Sequence, residues 1–393
     1  MTALKGIKVL DFGRYVAGPY CATLMADFGA DVIRIDRLGG SEDRWIAPVT
    51  DENLGALFLQ INRNKRSLTL DTRKPEGQDI LRKLIAEADV VVSNVPTSAL
   101  PAMGIDYASL CAIKPDIILA NVSSFGPRGP WADFPGFDSV GQAMCGSAYL
   151  SGPGDTPYRS PITWVDHAAA LYAAFGVMAA LHERGQTGRG QQVDASLLGS
   201  AMAFSATFLV EQSVAKPNRT AIGNRSFLNG PTDTFRTKDG WIVTQIVGDP
   251  LFRRWSRLIG EDHWLSDPRF TSDELRGENG AVLSERMAAW VAERTSDEAL
   301  AQLSAGGIPA GPVLSPQGAL DHPQVQGMEF MVPTQVPGLA EPAPLMRLPL
   351  DMSATPPAIR TSPPRVGEHN HEILAELGYS AAEISAFEAG RVI

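Results

Sequence analysis

Short apolar runs, bounded by glycine or polar residues, alternate in the first third of the chain with stretches whose apolar positions recur every three or four residues. Residues 7–12, 31–36, 89–95 and 117–123 read as strands buried on both faces, and 67–71 alternates like a fifth. Between them, 19–28 and 75–88 carry helical spacing, the first closed by Gly29 and the second opened by Pro75. Strand and helix in this rhythm predict a parallel sheet with helices on both faces, an α/β fold.

The middle of the chain changes character. Residues 127–161 are rich in Gly and Pro, with a helix expected at 138–144, followed by an Ala-rich helix at 167–184. A strand at 192–195 leads into another helix. Beyond Pro217, two alternating runs flank Lys238-Asp-Gly240 and predict a β-hairpin, followed by helices at 251–259, 282–292 and 299–305. The pattern divides the chain into a large domain, 1–220 completed by 330–393, and a smaller α+β domain, 221–329. The tail ends in two helices, the first stopped by Gly378.

Charge narrows the function classes. A formal net charge of −10 from 34 basic and 44 acidic residues leaves no basic face for nucleic acid or anionic membrane. The three cysteines, Cys21, Cys111 and Cys145, are scattered, so neither a disulfide framework nor a metal site is expected. With no secretory leader pattern and no apolar run read as long enough to span a bilayer, a cytoplasmic protein is expected.

The candidate chemistry starts at the first strand-to-helix turn, which lacks G-x-G-x-x-G and so is not a standard dinucleotide loop. Gly13 and Gly18 suit turn geometry there. Arg37 and Arg73 fall beyond strand ends, where α/β folds hold ligands and where a guanidinium can fork onto phosphate. Asp166 precedes a strong helix start. Capping is the plain reading; the alternative is a nucleophile whose carboxyl the helix N-terminus holds below its usual range.

Ordered motifs then run nearly the whole length: Gly6-Ile-Lys-Val-Leu-Asp-Phe, Gly29-Ala-Asp-Val-Ile-Arg-Ile-Asp-Arg37, Asn64-Lys-Arg-Ser, Leu70-Asp-Thr-Arg-Lys-Pro-Glu-Gly77, Gly307-Ile-Pro-Ala-Gly-Pro-Val313 and Gly367-Glu-His-Asn-His. In these the chain resembles the class III CoA-transferases, whose relatives include α-methylacyl-CoA racemase. The resemblance implies a Rossmann-like large domain, an interlocked homodimer, and a CoA thioester as substrate with no permanently bound cofactor. It implies Asp166 as the catalytic carboxylate. It places CoA contacts on Tyr15, Val16, Ala17, Arg37, Leu70, Asp71, Thr72, Arg73, Asn94, Val95, Met103, Phe137 and Asp138. Backbone N–H groups near 136–142 or at the helix start are expected to meet oxyanions.

Three departures refine this. Ala102 stands where the family carries a basic residue, which removes part of the expected contact to the CoA diphosphate; no Gly-rich flap appears near 223–230, which tells against formyl-CoA and oxalate. Phe137 stands where the racemase branch has histidine, which favours CoA transfer over 2-methylacyl-CoA epimerisation. An intact Asp166 speaks against a non-catalytic CoA-binding protein.

Overall fold

The computed structural model describes residues 2–50 and 54–393, and the chain divides into two compact units. The first comprises 1–145, 160–214 and 324–393; the second comprises 146–159 and 215–323. Residues 146–159, read from the sequence as part of the large domain, thus go with the second unit.

The first unit is built on a six-stranded parallel sheet: β1 (Lys8–Asp11), β2 (Asp31–Asp36), β3 (Lys65–Thr69), β4 (Val90–Ser93), β5 (Ile118–Ser123) and β6 (Gln192–Ser196), in spatial order β3-β2-β1-β4-β5-β6. The doubly apolar strands explain the layering. Val9, Val90, Val92, Ile118, Ala120 and Val122 enter one core with the Ala17–Asp27 and Trp164–Thr187 helices. Their strand neighbours Leu10, Val91 and Leu119 enter the opposite core, with the Pro75–Glu87 helix and the two helices of the tail. Successive side chains along a strand point to opposite faces, so each strand feeds both layers.

The Trp164–Thr187 helix is 24 residues long, longer at both ends than its sequence suggests. Gly176 does not break it: a Cβ there would lie 2.5 Å from Val193 on β6, so glycine sets how closely helix and sheet approach. By length and mean hydropathy this helix and Leu197–Val214 both qualify as candidate membrane spans, which corrects the expectation that no segment is long enough. The first is a core helix, with Ala169, Ala170, Ala173, Val177 and Ala180 fully buried against the sheet.

β3 lies at the sheet edge, and the tail finishes it. The Ser67 amide donates to His369 Nδ1 at 3.2 Å and the Thr69 amide to Asn370 Oδ1 at 2.9 Å. The Asp71 amide donates to the Val392 carbonyl at 2.8 Å. The Gly367-Glu-His-Asn motif therefore satisfies an edge that would otherwise offer free donors. A hairpin of β10 (Met331–Thr334) and β11 (Ala343–Met346) was not read from the sequence, because Pro333 and Pro344 face each other across it and mask the strand pattern.

The second unit carries a three-stranded antiparallel sheet, β7 (Thr232–Arg236), β8 (Trp241–Gln245) and β9 (Ala310–Pro312). Its core is aromatic: Phe235, Phe252, Trp255, Trp264, Phe270 and Trp290 pack with Leu283 and Met287.

Candidate active site

The strand order reverses between β1 and β4, and open α/β sheets hold ligands in the crevice at that point. A cleft of about 270 Å³ opens there, at the carboxyl ends of β1, β4 and β5. Its walls are the 14–17 loop, Asn94 to Pro96, Val122 to Ser124, the 132–137 loop, Leu197 and Asp166.

The 14–17 loop is fixed from below. Three consecutive amides donate to three side chains: Gly13 to Asp11 Oδ1 at 2.8 Å, Arg14 to Asn94 Oδ1 at 2.7 Å, and Tyr15 to Asp43 Oδ2 at 3.1 Å. Asn94 Nδ2 returns a bond to the Arg14 carbonyl at 2.8 Å. The clamp holds Tyr15 at φ +60°, a conformation that side chains other than glycine rarely adopt. Gly18 is needed for the same approach, since a Cβ there would sit 2.9 Å from Gly13 Cα and 3.0 Å from Asn94 Oδ1.

Asp11 and Asp43 belong to a buried network of charges. Lys65 Nζ donates to Asp11 at 2.8 Å, and Arg34 forks onto both oxygens of Asp43 at 2.9 and 3.0 Å while also pairing with Asp36 at 3.0 Å. Arg44 pairs with Asp36, and its guanidinium lies 4.2 Å from the Phe58 ring centre. Burial outweighs the pairing at Lys65 and brings its pKa down to about 8. Lys65 and Arg34 thus hold the carboxylates beneath the loop rather than facing a ligand.

Asp166 is the third residue of the Trp164–Thr187 helix, nearly buried, and it lines the cleft. None of the hydrogen bonds among the described residues reaches its carboxyl oxygens. The helix start is served instead by Asp138, whose Oδ2 accepts from the Val165 amide at 2.7 Å and the Asp166 amide at 3.1 Å. Gln142 donates to the other oxygen of Asp138 and accepts from the Ser160 amide at 2.8 Å. Burial first, and the Asp138 charge second, push the Asp166 carboxyl up to about 7. The expectation that the helix N-terminus lowers it is thus corrected: the donors that would do so are already bonded to another carboxylate.

The residues named from sequence separate into four groups. Tyr15, Val16, Ala17, Asn94, Val95, Phe137 and Asp166 come together around the cleft. Tyr15 and Phe137 meet edge to face at 5.6 Å. Asp138 lies behind the cleft wall, 6% exposed, holding backbone rather than opening on a ligand. Leu70 is core and Met103 packs against that core. Arg37, Asp71, Thr72 and Arg73 follow β2 and β3 outside the cleft lining. Arg37 pairs with Glu42 at 2.7 Å and Arg73 with Asp71 at 2.8 Å, both arginines well exposed. Some of the expected oxyanion donors are taken. Val165 and Asp166 serve Asp138, and the Val140 and Gly141 amides donate to the Phe137 carbonyl.

Sequence reading missed Arg14, which lines the cleft while its Nη1 donates to the Gly13 carbonyl at 2.9 Å and the Ile35 carbonyl at 3.3 Å. No local pattern marks it, because what turns its side chain inward includes the Ile35 carbonyl on another strand. It also missed Ser123 and Ser124 at the end of β5. Ser124 Oγ donates to the Gly136 carbonyl at 3.0 Å and ties the 132–137 loop to the sheet. No histidine lines the cleft among the described residues.

The sequence profile of CoA-transferase family III matches residues 4–370. The chain is 32% identical to a succinyl-CoA–D-citramalate CoA-transferase of Chloroflexus aurantiacus, over 99% of this chain and 98% of that protein. It is 30% identical to a succinate–glutarate CoA-transferase of Agrobacterium fabrum, over 95% of each. Its fold matches the crystal structure of a CAIB/BAIF family protein from Brucella suis at 31% identity and a TM-score of 0.84, covering 96% of this chain and 99% of that one. A match of this extent in profile, sequence and fold means that the chain belongs to CoA-transferase family III.

Proposed function

We propose that this CoA-transferase moves CoA from an acyl-CoA to a free carboxylate by covalent catalysis at Asp166. The observation that carries the reading is Asp166 itself: it lines the cleft at the sheet's switch point, its carboxyl has no hydrogen-bonded partner among the described residues, and burial pushes that carboxyl up to about 7. An Asp166 oxygen attacks the thioester carbonyl; the C–S bond breaks and CoA leaves as the thiolate, giving a mixed anhydride. The thiolate attacks the aspartyl carbonyl and releases the donor acid, leaving an aspartyl-CoA thioester. The acceptor carboxylate attacks that thioester, forming a second anhydride. CoA thiolate then takes the new acyl group and frees Asp166. Anhydride and thioester exchange at each step, so no nucleotide is consumed.

The apolar walls suit this chemistry. Phe134, Pro135, Phe137 and Leu197 around a nearly buried carboxylate limit the water that would hydrolyse an anhydride. Epimerisation needs a second acid/base group across the α-carbon, and Phe137 occupies the place where the racemase branch has histidine.

Arg37 and Arg73 are assigned to the CoA phosphates. Each is exposed and paired to a neighbouring carboxylate, and exposed pairs are weak enough to exchange for phosphate. The relatives' names make succinyl-CoA the first donor to try. The assembly is proposed to be the family's interlocked homodimer. Its support here is the outward apolar surface of two adjacent helices, where Phe175 is 76% and Val214 80% exposed.

The test is a CoA-exchange assay with succinyl-CoA against a panel of carboxylic acids, for wild type and Asp166→Asn. New acyl-CoA in the wild type, lost by several orders of magnitude in the variant, is the expected result. Near-normal exchange by Asp166→Asn rejects the covalent reading.

A further inference from the structure

A carboxylate in the first turn of a helix ordinarily bonds the free N–H groups there and becomes a weak base. Asp166 is in the first turn and makes no such bond. The Val165 and Asp166 amides turn instead to Asp138, 27 and 28 residues earlier. Asp138 sits on the Asp138–Met144 helix, buried, and Gln142 one turn on holds its second oxygen. Gln142 is itself fixed by the Ser160 amide and reaches the Ile162 carbonyl at 3.3 Å. The arrangement is more than a cap costs: a serine or asparagine on the preceding loop would serve the same donors without burying a second negative charge behind the first.

We propose that Asp138 is a positioning residue for the transfer reaction. Its braced carboxylate withholds the helix-start N–H groups from Asp166 and sets a fixed negative charge behind it, keeping Asp166 basic enough to attack a thioester. This rests on Asp166 being the nucleophile. The chemical reason is the leaving group. An ordinary thiol has a pKa of roughly 8.5, and a carboxylate of pKa near 4 is a far better leaving group than the thiolate it must displace. Raising the carboxylate toward neutrality narrows that gap, so the first tetrahedral intermediate partitions forward more often.

The other titratable groups around Asp166 do not supply this effect. They are Arg14 and Tyr15 across the cleft, Tyr20, Cys21 and Asp27 on the Ala17–Asp27 helix, and His167 beside it. Cys145 follows the Asp138 helix, Asp194 lies on β6, and Glu211 on the Leu197–Val214 helix. Only Asp138 acts on the Asp166 carboxyl by charge.

The experiment measures kcat/KM for acyl-CoA against pH, with acceptor saturating, for wild type and Asp138→Asn. The asparagine oxygen still accepts from the helix start, but its Nδ2 then meets Gln142 Nε2, donor against donor, so the melting temperature is recorded beside the kinetics. The acid limb of the wild type is expected near pH 7. In Asp138→Asn it should fall by about one unit, burial supplying the rest of the shift, and turnover at pH 8 should drop about threefold, as a Brønsted slope of roughly 0.4–0.5 over one unit gives. KM for acyl-CoA should stay within about twofold. An acid limb that does not move in a folded Asp138→Asn overturns the proposal. So does a wild-type limb below about pH 5, which needs no variant and decides the matter if Asp138→Asn fails to fold. Hydroxylamine trapping separates the two levels. An aspartyl hydroxamate at Asp166 with an unmoved limb rejects this inference alone, whereas full activity in Asp166→Asn rejects the reading beneath it.

Discussion

A carboxylate that attacks a thioester must be basic, and basicity in a folded protein is bought with stability. Between about pH 4 and pH 7 folded Asp166 keeps a proton that the unfolded chain has released. Its contribution is therefore most favourable at low pH, declines as pH rises through that window, and levels off above 7. At pH 8 the charged side chain costs up to about 4 kcal/mol, from about three pKa units at 1.36 kcal/mol each. Asp166→Asn removes the charge and keeps the shape. Calorimetry should show that variant melting higher than wild type at pH 8 and level with it at pH 4, while its transfer activity is lost. A melting temperature lowered at both pH values would mean the aspartate is serving the fold. On the CoA side, Arg37→Ala and Arg73→Ala should each raise KM for acyl-CoA and leave KM for the acid unchanged, with charged hydrogen bonds of roughly 1.5–3 kcal/mol at stake. Equal effects on both substrates would remove those arginines from the phosphate site.

Among the elements, the 13–17 loop and the β3 edge show how distant residues hold what local sequence leaves open. Lys65→Met should cost roughly 3–5 kcal/mol, because it strands Asp11 uncompensated beneath the loop. Asn370→Ala should speed amide exchange at Thr69, whose donor it releases. The elements legible in the sequence were those whose signal is local. β2 and the Asp138–Met144 helix fall where the hydrophobic pattern puts them, and the doubly apolar β4 and β5 are found within two residues. What was not legible depends on contacts across the chain. The Trp164–Thr187 helix begins before its alanine run because Asp138 supplies its cap from elsewhere. The burial of Arg34 and Lys65 has no local mark either, since Asp43 and Asp11 draw them inside. In the site, the position of Asp166 was legible and its titration was not, since the pattern of one helix does not show which neighbour has taken its donors.

At the scale of the whole molecule, the parallel sheet gathers a loop, two strand ends and a helix start at one crevice, and the chemistry proposed needs all of them. The apolar outer faces of the Trp164–Thr187 and Leu197–Val214 helices need a cover, which the interlocked dimer is proposed to give. Sedimentation at nanomolar concentration should find a single dimeric species, since threaded chains separate only by unfolding; monomer appearing on dilution would contradict the threaded form. The central claim is narrower and more directly tested. The protein is incubated with succinyl-CoA, quenched with hydroxylamine, digested, and the peptide containing Asp166 is examined by mass spectrometry. A hydroxamate on Asp166 in the wild type, and none in Asp166→Asn, is the result expected of covalent transfer through this carboxylate. Acyl-CoA exchange that proceeds without any such adduct, or with the adduct on another residue, would contradict it.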